Sequence, residues 1–428
     1  MMFYVIHVLY NIVLLLFLPI YTLFSLFQSI FKPAYFFPFL ARLGIWGKRY
    51  PIAPHGIWIH AVSVGEVAAS VSIIREIKEQ QSAVSISLTC TTLTGFRMAR
   101  RALGEEFPVV FAPLDLPFVL KIFFKRIKPR VLAVAELEIW PNYFRAAFVR
   151  KIPLVIFNGR MPLADMKGYK RLSGYFTRIM SSVSLVGVQT EVDRERYLQI
   201  GAVTEKTRII GNIKFDFKPS TGKGSFHTDC GLTGNERVLT IGSTHRGEEV
   251  LLMPVLRRIA DIFPELKIVL VPRHPHRAGE VQRLVKGYNF SPLLRSQAEG
   301  SVSDFIIVDT IGELVDVYKL SEIVIMGGSF NKKVQGHNPL EAVYFKKPLI
   351  MGPYMENFHH IRQLLLEGAG AVDVQEAEEL YGLLERWLKS PKEALQVGED
   401  GFRIMQENKG ASARYAALIL DAMGGNLL

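Results

Sequence analysis

Acidic side chains stand at places in this chain where a buried apolar run gives way to a helical pattern. In HAVSVGEVAA, residues 60–69, Glu66 follows the strand-like residues 56–60. Such a carboxylate can complement a helix macrodipole, or it can serve as a general base aimed into a cleft. In AELEIWPN, residues 135–142, Glu136 and Glu138 close another apolar run. On an extended chain their side chains share one side, with Leu137 on the other. Two carboxylates on one side of a buried strand end are costly unless paired or solvated in a site, which marks at least one of them as functional. TTLTG, residues 91–95, brings the Thr92 hydroxyl and Gly95 to a third turn, and NGR, residues 158–160, brings Asn158 and Arg160 to a fourth.

The second half carries a different set. GSTHRGEE (242–249) offers Ser243 and His245, and PRHPHR (272–277) offers Pro272, Arg273 and His274. GGSF (327–330) offers Gly327, Gly328 and Ser329; GHNPLEA (336–342) offers Asn338 and Glu341. Each follows or closes a strand-like run. Glycines let a ligand approach the backbone, and a helix N-terminus favours an anion. Arg273 can make paired hydrogen bonds to phosphate or carboxylate, and Glu341 can accept from sugar hydroxyls. Their convergence on one sheet edge points to a nucleotide-type site. The chain has no Walker or GxGxxG motif, which disfavours ATP hydrolysis and dinucleotide redox chemistry. No GxSxG elbow exists for a serine hydrolase. His274 with His276 and His359 with His360 lack the spacing of a zinc helix, so no bound metal is expected.

These turns must be held by elements. At 428 residues, 49% apolar and 21% charged, the chain can form two domains with sizeable cores. Apolar runs alternate with helical patterns from GIWIHAV (56–62) onward. The pattern breaks at the Gly-, Ser- and Thr-rich residues 218–236 and restarts at RVLTIGST (237–244). This predicts an α/β fold of two successive doubly wound, Rossmann-like halves with a cleft between them and ligands beyond the carboxyl ends of the strands. The expected domains are 55–217 and 237–428, with 218–236 as linker. Ahead of them, residues 1–31 read as a membrane anchor and 32–54 as a connector.

About 29 residues pass without a formal charge near the N-terminus, enough to span a bilayer core or to lie in its interface. Lys32, Arg42, Lys48 and Arg49 follow, so the positive-inside rule places the body in the cytoplasm. The formal charge of +11 suits an anionic membrane surface or acidic substrates. The basic, aromatic-interleaved stretches 121–130 and 167–178 would meet headgroups beside the anchor. No recognition-helix or zinc-knuckle signature supports nucleic acid. Cys90 and Cys230, far apart, fit a reducing compartment.

Together, SVGE, E-x-E-x-WPN, NGR, GNIKFD, PRHPHR, GGSF and GHNPLEA resemble the 3-deoxy-D-manno-octulosonic acid (Kdo) transferases of Gram-negative lipopolysaccharide synthesis. The resemblance runs over nearly the whole chain. It implies an inverting GT-B glycosyltransferase with CMP-Kdo as donor and a lipid A precursor as acceptor, at the cytoplasmic face of the inner membrane, with no metal or other cofactor. Carried over by motif, Glu66 matches the general base, and Glu138 or Glu136 the second essential carboxylate region. Arg273, Gly327, Gly328, Ser329, Asn338 and Glu341 match the CMP-binding side. Ser243, His245, Pro272, His274 and Asn357 belong to the same donor-side turns. Thr92, Gly95, Asn158 and Arg160 fall on the acceptor side. The chain departs from the family pattern at Gly159, often Ala, and at Tyr354, often His. The alternative reading keeps the fold and takes a UDP-sugar with another lipid-linked acceptor; a non-catalytic nucleotide-binding scaffold gives no reason for the strand-end carboxylates.

Overall fold

The computed structural model describes residues 2–32, 36–47, 52–219 and 224–425. Lys48 and Arg49 lie outside them. The chain divides into two compact units, Met1–Asp216 with Gly410–Leu428, and Phe217–Lys409.

In the first unit the apolar runs form a seven-stranded, all-parallel sheet. Its strands are β1 (Ile57–Ala61), β2 (Ile86–Cys90), β3 (Val109–Phe111), β4 (Val131–Ala135), β5 (Leu154–Gly159), β6 (Leu185–Val188) and β7 (Thr207–Ile209). Their spatial order is β3-β2-β1-β4-β5-β6-β7. Both faces are covered, which is why these strands read as unbroken apolar runs rather than alternating ones. Trp58, Leu132 and Val134 face a core with Phe123, Tyr143 and Phe144. Ile57, Ile59, Val131 and Ala133 face the other, with Ile73, Ile77, Tyr415 and Ile419.

Tyr415 and Ile419 lie on the last helix, Ala411–Gly424. The sequence reading put 410–428 with the second domain; the structure packs this helix on the first sheet. The Tyr415 hydroxyl donates to the Gly211 carbonyl (3.0 Å). Its ring fills the space over Gly187, where a Cβ would stand 2.5 Å from Cε1. The connector also differs from expectation. It contains a helix, Phe36–Arg42, and Phe39, Ala41 and Trp46 are buried.

The second unit repeats the plan. Its strands are β8 (Val238–Thr244), β9 (Lys267–Pro272), β10 (Pro292–Leu294), β11 (Phe305–Ile307), β12 (Ile323–Met326), β13 (Leu349–Met351) and β14 (Val372–Asp373). The order is β10-β11-β9-β8-β12-β13-β14, again all parallel. The expected linker is only partly one: Phe226, Cys230 and Leu232 are buried against Val269, Val271 and Val317.

Candidate functional site

In an open parallel sheet the strand order reverses at one place, and the loops on either side diverge there to leave a crevice at the carboxyl ends. In the first unit that place lies between β1 and β4, because β2 and β3 extend one way and β5 to β7 the other. Glu66 follows β1, and Glu136 and Glu138 follow β4.

Glu66 is the third residue of the helix Val64–Gln80 and closes a capping box with Ser63. Its carboxylate accepts from the Val62 N–H (2.8 Å) and the Ser63 N–H (3.3 Å), while its own N–H donates to Ser63 Oγ (3.2 Å). It is buried at 6% exposure. The cap and a catalytic carboxylate are compatible, since an ionised carboxylate offers about four lone-pair sites and the cap takes two.

Glu136 and Glu138 reach the same neighbourhood by a route the sequence reading did not foresee. The strand stops at Ala135, and Glu136 adopts φ +45°, so the extended-chain argument for a shared side does not hold. The left-handed residue turns the backbone out of the sheet. Tyr197 Oη fixes it by donating to the Glu136 carbonyl (2.7 Å). Burial, then the charge of Glu66, pushes the Glu136 carboxyl up from its ordinary range, against Lys214, Arg160 and the Asn158 amide. Burial, then Glu66, pushes Glu138 up to about 7, while the Trp140 indole donates to it (2.7 Å). Glu136 and Glu138, both buried and both facing the charge of Glu66, thus favour their protonated forms more than an exposed glutamate does.

Glu136, Glu138 and Arg160 line a cavity of about 580 Å³ with Asp165, Tyr169 and Phe176. Asn158 stands apart from that lining. Its amide donates to Glu136 (3.1 Å) and accepts from the Ile213 N–H (3.2 Å), so its side chain holds Glu136 in place. Thr92 caps the helix Leu93–Leu103 by accepting from the Gly95 N–H (3.1 Å). A Cβ on Gly95 would stand 2.9 Å from Thr92 Oγ1 and 3.2 Å from Val67, so glycine here lets this helix approach the Glu66 helix. Thr92 lines a second cavity, about 340 Å³, with Tyr21, Phe24, Phe39 and Arg42. Of the four residues read from the sequence as acceptor-side, Arg160 lines the first cavity and Thr92 the second, while Asn158 and Gly95 line neither.

In the second unit the order reverses between β8 and β12, and the polar turns gather there. Glu248, 2% exposed, accepts from the backbone N–H groups of His245 (2.7 Å), Gly328 (2.8 Å) and Phe330 (3.0 Å). It thereby fixes the turn after β8 against the turn after β12. His245 and His337 meet Nε2 to Nε2 at 2.9 Å, and His274 lies edge-on to His245. Burial, then the nearby His245 and Arg273, pushes His337 down to about 4; burial, then His274 and Arg273, also lowers His245. Burial raises Glu341, against Arg273 and the Asn338 side chain. The Arg273 N–H donates to the Thr244 carbonyl (2.9 Å), which sets Pro272, Arg273 and His274 beside the β8 turn. Ser329 Oγ accepts from the Gly352 N–H (2.8 Å). Asn357 donates to the Val334 carbonyl (3.1 Å), which steadies the segment between GGSF and GHNPLEA. Ser243 holds φ +62° at the end of β8, beneath Gly327, where a Cβ would lie 2.7 Å from the Ser243 carbonyl.

The sequence matches follow this geometry. A relative from Haemophilus influenzae, a 3-deoxy-D-manno-octulosonic acid transferase, is 33% identical over 426 residues, 98% of this chain and 99% of its own. The chain belongs to the Kdo transferase family. It is a glycosyltransferase. The family model described as 3-deoxy-D-manno-octulosonic-acid transferase (kdotransferase) matches residues 39–217. A probable mitochondrial Kdo transferase from Arabidopsis thaliana is 31% identical over 340 residues, 75% of each chain. Among solved structures, a UDP-GlcNAc 2-epimerase from Neisseria meningitidis covers 87% of this chain and all of its own at TM-score 0.59 and 14% identity, a likeness of fold. Two Rossmann-like units of this kind are the GT-B class.

Within this Kdo transferase, three residues at the sites were absent from the sequence reading. His337 lies inside GHNPLEA, Glu248 inside GSTHRGEE and Lys214 inside GNIKFD, so each sat in a quoted motif without a role. Lys214 is lowered by burial and held up by Glu136. The turn itself offers a test. Gly328 has φ +76°, and a Cβ there would stand 2.8 Å from His337. Gly328→Ala should cost about 1–3 kcal/mol of local strain, read as a fall in Tm. An unchanged Tm would mean that the turn absorbs the added methyl without strain.

Proposed function

We propose that the enzyme transfers Kdo from CMP-Kdo to a lipid A precursor, with inversion, at the cytoplasmic face of the inner membrane. The observation that carries this reading is the gathering of Glu66, Glu136 and Glu138 at the β1/β4 crevice, where burial, and then the charge of Glu66, raises the Glu136 and Glu138 carboxyls. Transfer from an activated ketose passes through an oxocarbenium-like transition state, as glycoside hydrolysis does. The acceptor hydroxyl is a poor nucleophile and needs a base as it attacks. Glu66 takes that proton, the new C2–O bond forms, the bond from C2 to the phosphate oxygen breaks, and CMP leaves with the electron pair. Glu138 and Glu136 supply negative charge beside the forming cation and position the acceptor, with Arg160 at the same cavity.

On the donor side the Arg273 guanidinium meets the departing phosphate, where preorganised donors act most strongly, beside the Gly327–Ser329 turn, whose Gly327 and Gly328 N–H groups donate to the Gly242 carbonyl and to Glu248. Asn338 and Glu341 hold sugar hydroxyls. CMP is a good leaving group, so this reading calls for no metal or other cofactor. The N-terminal helix, Met2–Phe31, is long and apolar enough to cross a membrane and brings the enzyme to its lipid acceptor.

The test is a transfer assay in detergent with CMP-Kdo generated in situ and a tetra-acylated lipid A precursor, beside thermal shifts with CMP and UMP. Transfer, and stabilisation by CMP over UMP, are expected. Stabilisation by UMP over CMP would move the donor to a UDP-sugar. A folded, CMP-binding enzyme without transfer would overturn the acceptor.

A further inference from the structure

The membrane helix is not free of the body behind it. Residues of Met2–Phe31 that escape exposure are Phe3, Ile6, His7, Tyr10, Asn11, Leu14, Leu18, Tyr21, Thr22, Ser25, Gln28 and Ser29. This is a single stripe at helical spacing from one end to the other. Phe3, Ile6, Leu14 and Leu18 pack on the core of the first unit. From Phe3 to Gln28 the stripe runs about 38 Å at 1.5 Å per residue, longer than the roughly 30 Å of a bilayer's hydrocarbon core.

The contacts along it are polar as well as apolar. His7 Nδ1 meets Tyr175 Oη (3.0 Å), Tyr10 Oη donates to Asp115 (2.7 Å), and Asn142 donates to Asn11 (2.9 Å). Arg42 donates to Tyr21 Oη (3.0 Å). Asp115 also accepts from the backbone N–H groups of Asn142 (3.1 Å) and Tyr143 (3.0 Å). Near the other end, Phe24, Ser25 and Gln28 share a cavity with Arg42 and the Thr91–Thr94 turn.

A helix docked in this way cannot cross a bilayer without dragging Asp115, Arg42 and Asn142 into hydrocarbon, where charged and polar groups are expensive. The opposite face is apolar and exposed throughout: Val5, Val8, Leu9, Ile12, Leu16, Phe17, Ile20, Leu23, Phe27 and Phe31 are 46–69% exposed. Positive charge flanks the helix, with Arg178 over the Phe3 ring at 5.4 Å.

We propose that Met2–Phe31 lies flat in one leaflet of an anionic bilayer, its exposed face among the acyl chains and both ends on the side of the catalytic body. This rests on the membrane reading above. It also accounts for His7, Tyr10 and Asn11, which weaken a spanning segment and serve here as ties to the body. Binding of this kind takes its strength from buried apolar area plus attraction to anionic lipid.

The test places a short, uncharged hydrophilic tag with one cysteine ahead of Met1 of the full chain. A second version carries Leu395→Cys, a 59% exposed marker of the body. Intact spheroplasts and inverted vesicles are labelled with a membrane-impermeant maleimide, after flotation shows the chain on the membrane. Cys90 and Cys230 are buried. The flat helix predicts that tag and body label from the same side. Labelling from opposite sides means a spanning helix and overturns the proposal. A chain that does not float with membranes overturns the membrane reading itself, and the flat helix with it.

Discussion

Glu66→Gln is expected to reduce Kdo transfer about 10²- to 10⁴-fold, the usual contribution of a positioned general base, while CMP affinity stays within about twofold. The carboxylate has two duties, and the substitution separates them. Glutamine keeps one acceptor oxygen, so one of the two hydrogen bonds from Val62 and Ser63 survives. Loss of the other costs about 1 kcal/mol, a fall of about 2–4 °C in Tm for a domain of this size. A cap alone would give that small Tm shift with transfer preserved. Transfer within a few-fold of wild type, with the Tm shift present, would return Glu66 to helix capping. The base would then be sought in Glu138 and Glu136.

Glu138→Gln should make the protein more stable and less active. Its folded carboxyl titrates at about 7, against 4.5 for an unperturbed glutamate, first through burial and then through Glu66. The native state therefore binds more protons than the unfolded chain between about pH 4.5 and pH 7, and stability falls as pH rises through that window. Removing the charge relieves this penalty. Tm of the variant should exceed that of wild type at pH 8 and match it at pH 5. Transfer should fall with it, because a like-charged cluster kept at a strand end at a cost in stability marks a functional site. The wild-type kcat/KM profile should show an apparent pKa near 7, as a property of the cluster rather than of one residue, and that limb should move in the variant. Equal Tm differences at pH 5 and pH 8 would remove the electrostatic basis of the site.

Much of this was legible in the sequence. A parallel sheet covered on both faces needs apolar side chains on both, so runs such as residues 131–135 and 154–157 stand out without alternation. The polar turns follow those runs, so their place at the carboxyl ends was readable too. What stayed hidden depends on distant packing. The helical pattern of 411–424 announces a buried helix, yet nothing local says which sheet it covers. The left-handed Glu136 is held by Tyr197, 61 positions away, and no short motif encodes that. The composition of 218–236 reads as a loop, although Phe226, Cys230 and Leu232 carried the signal of a packed segment. Asn158 looked like a ligand group in NGR; its amide faces inward to Glu136 and Ile213 because the backbone takes φ +52° there.

The chain leaves the first unit after Asp216 and returns at Gly410. The two points are neighbours, since the Asp216 carboxylate accepts from the Gly410 N–H (2.5 Å) and the Ser412 N–H (2.6 Å). The second unit is thus an insertion in the first, entering and leaving through a single doorway. A chain stopped after residue 216 would expose the sheet face that Tyr415 and Ile419 cover. Excising 217–409 and bridging the gap with a few glycines would keep that face closed. Domains whose ends lie close together tolerate such surgery, and the excised form would present the carboxylate cluster without the polar turns of the second unit.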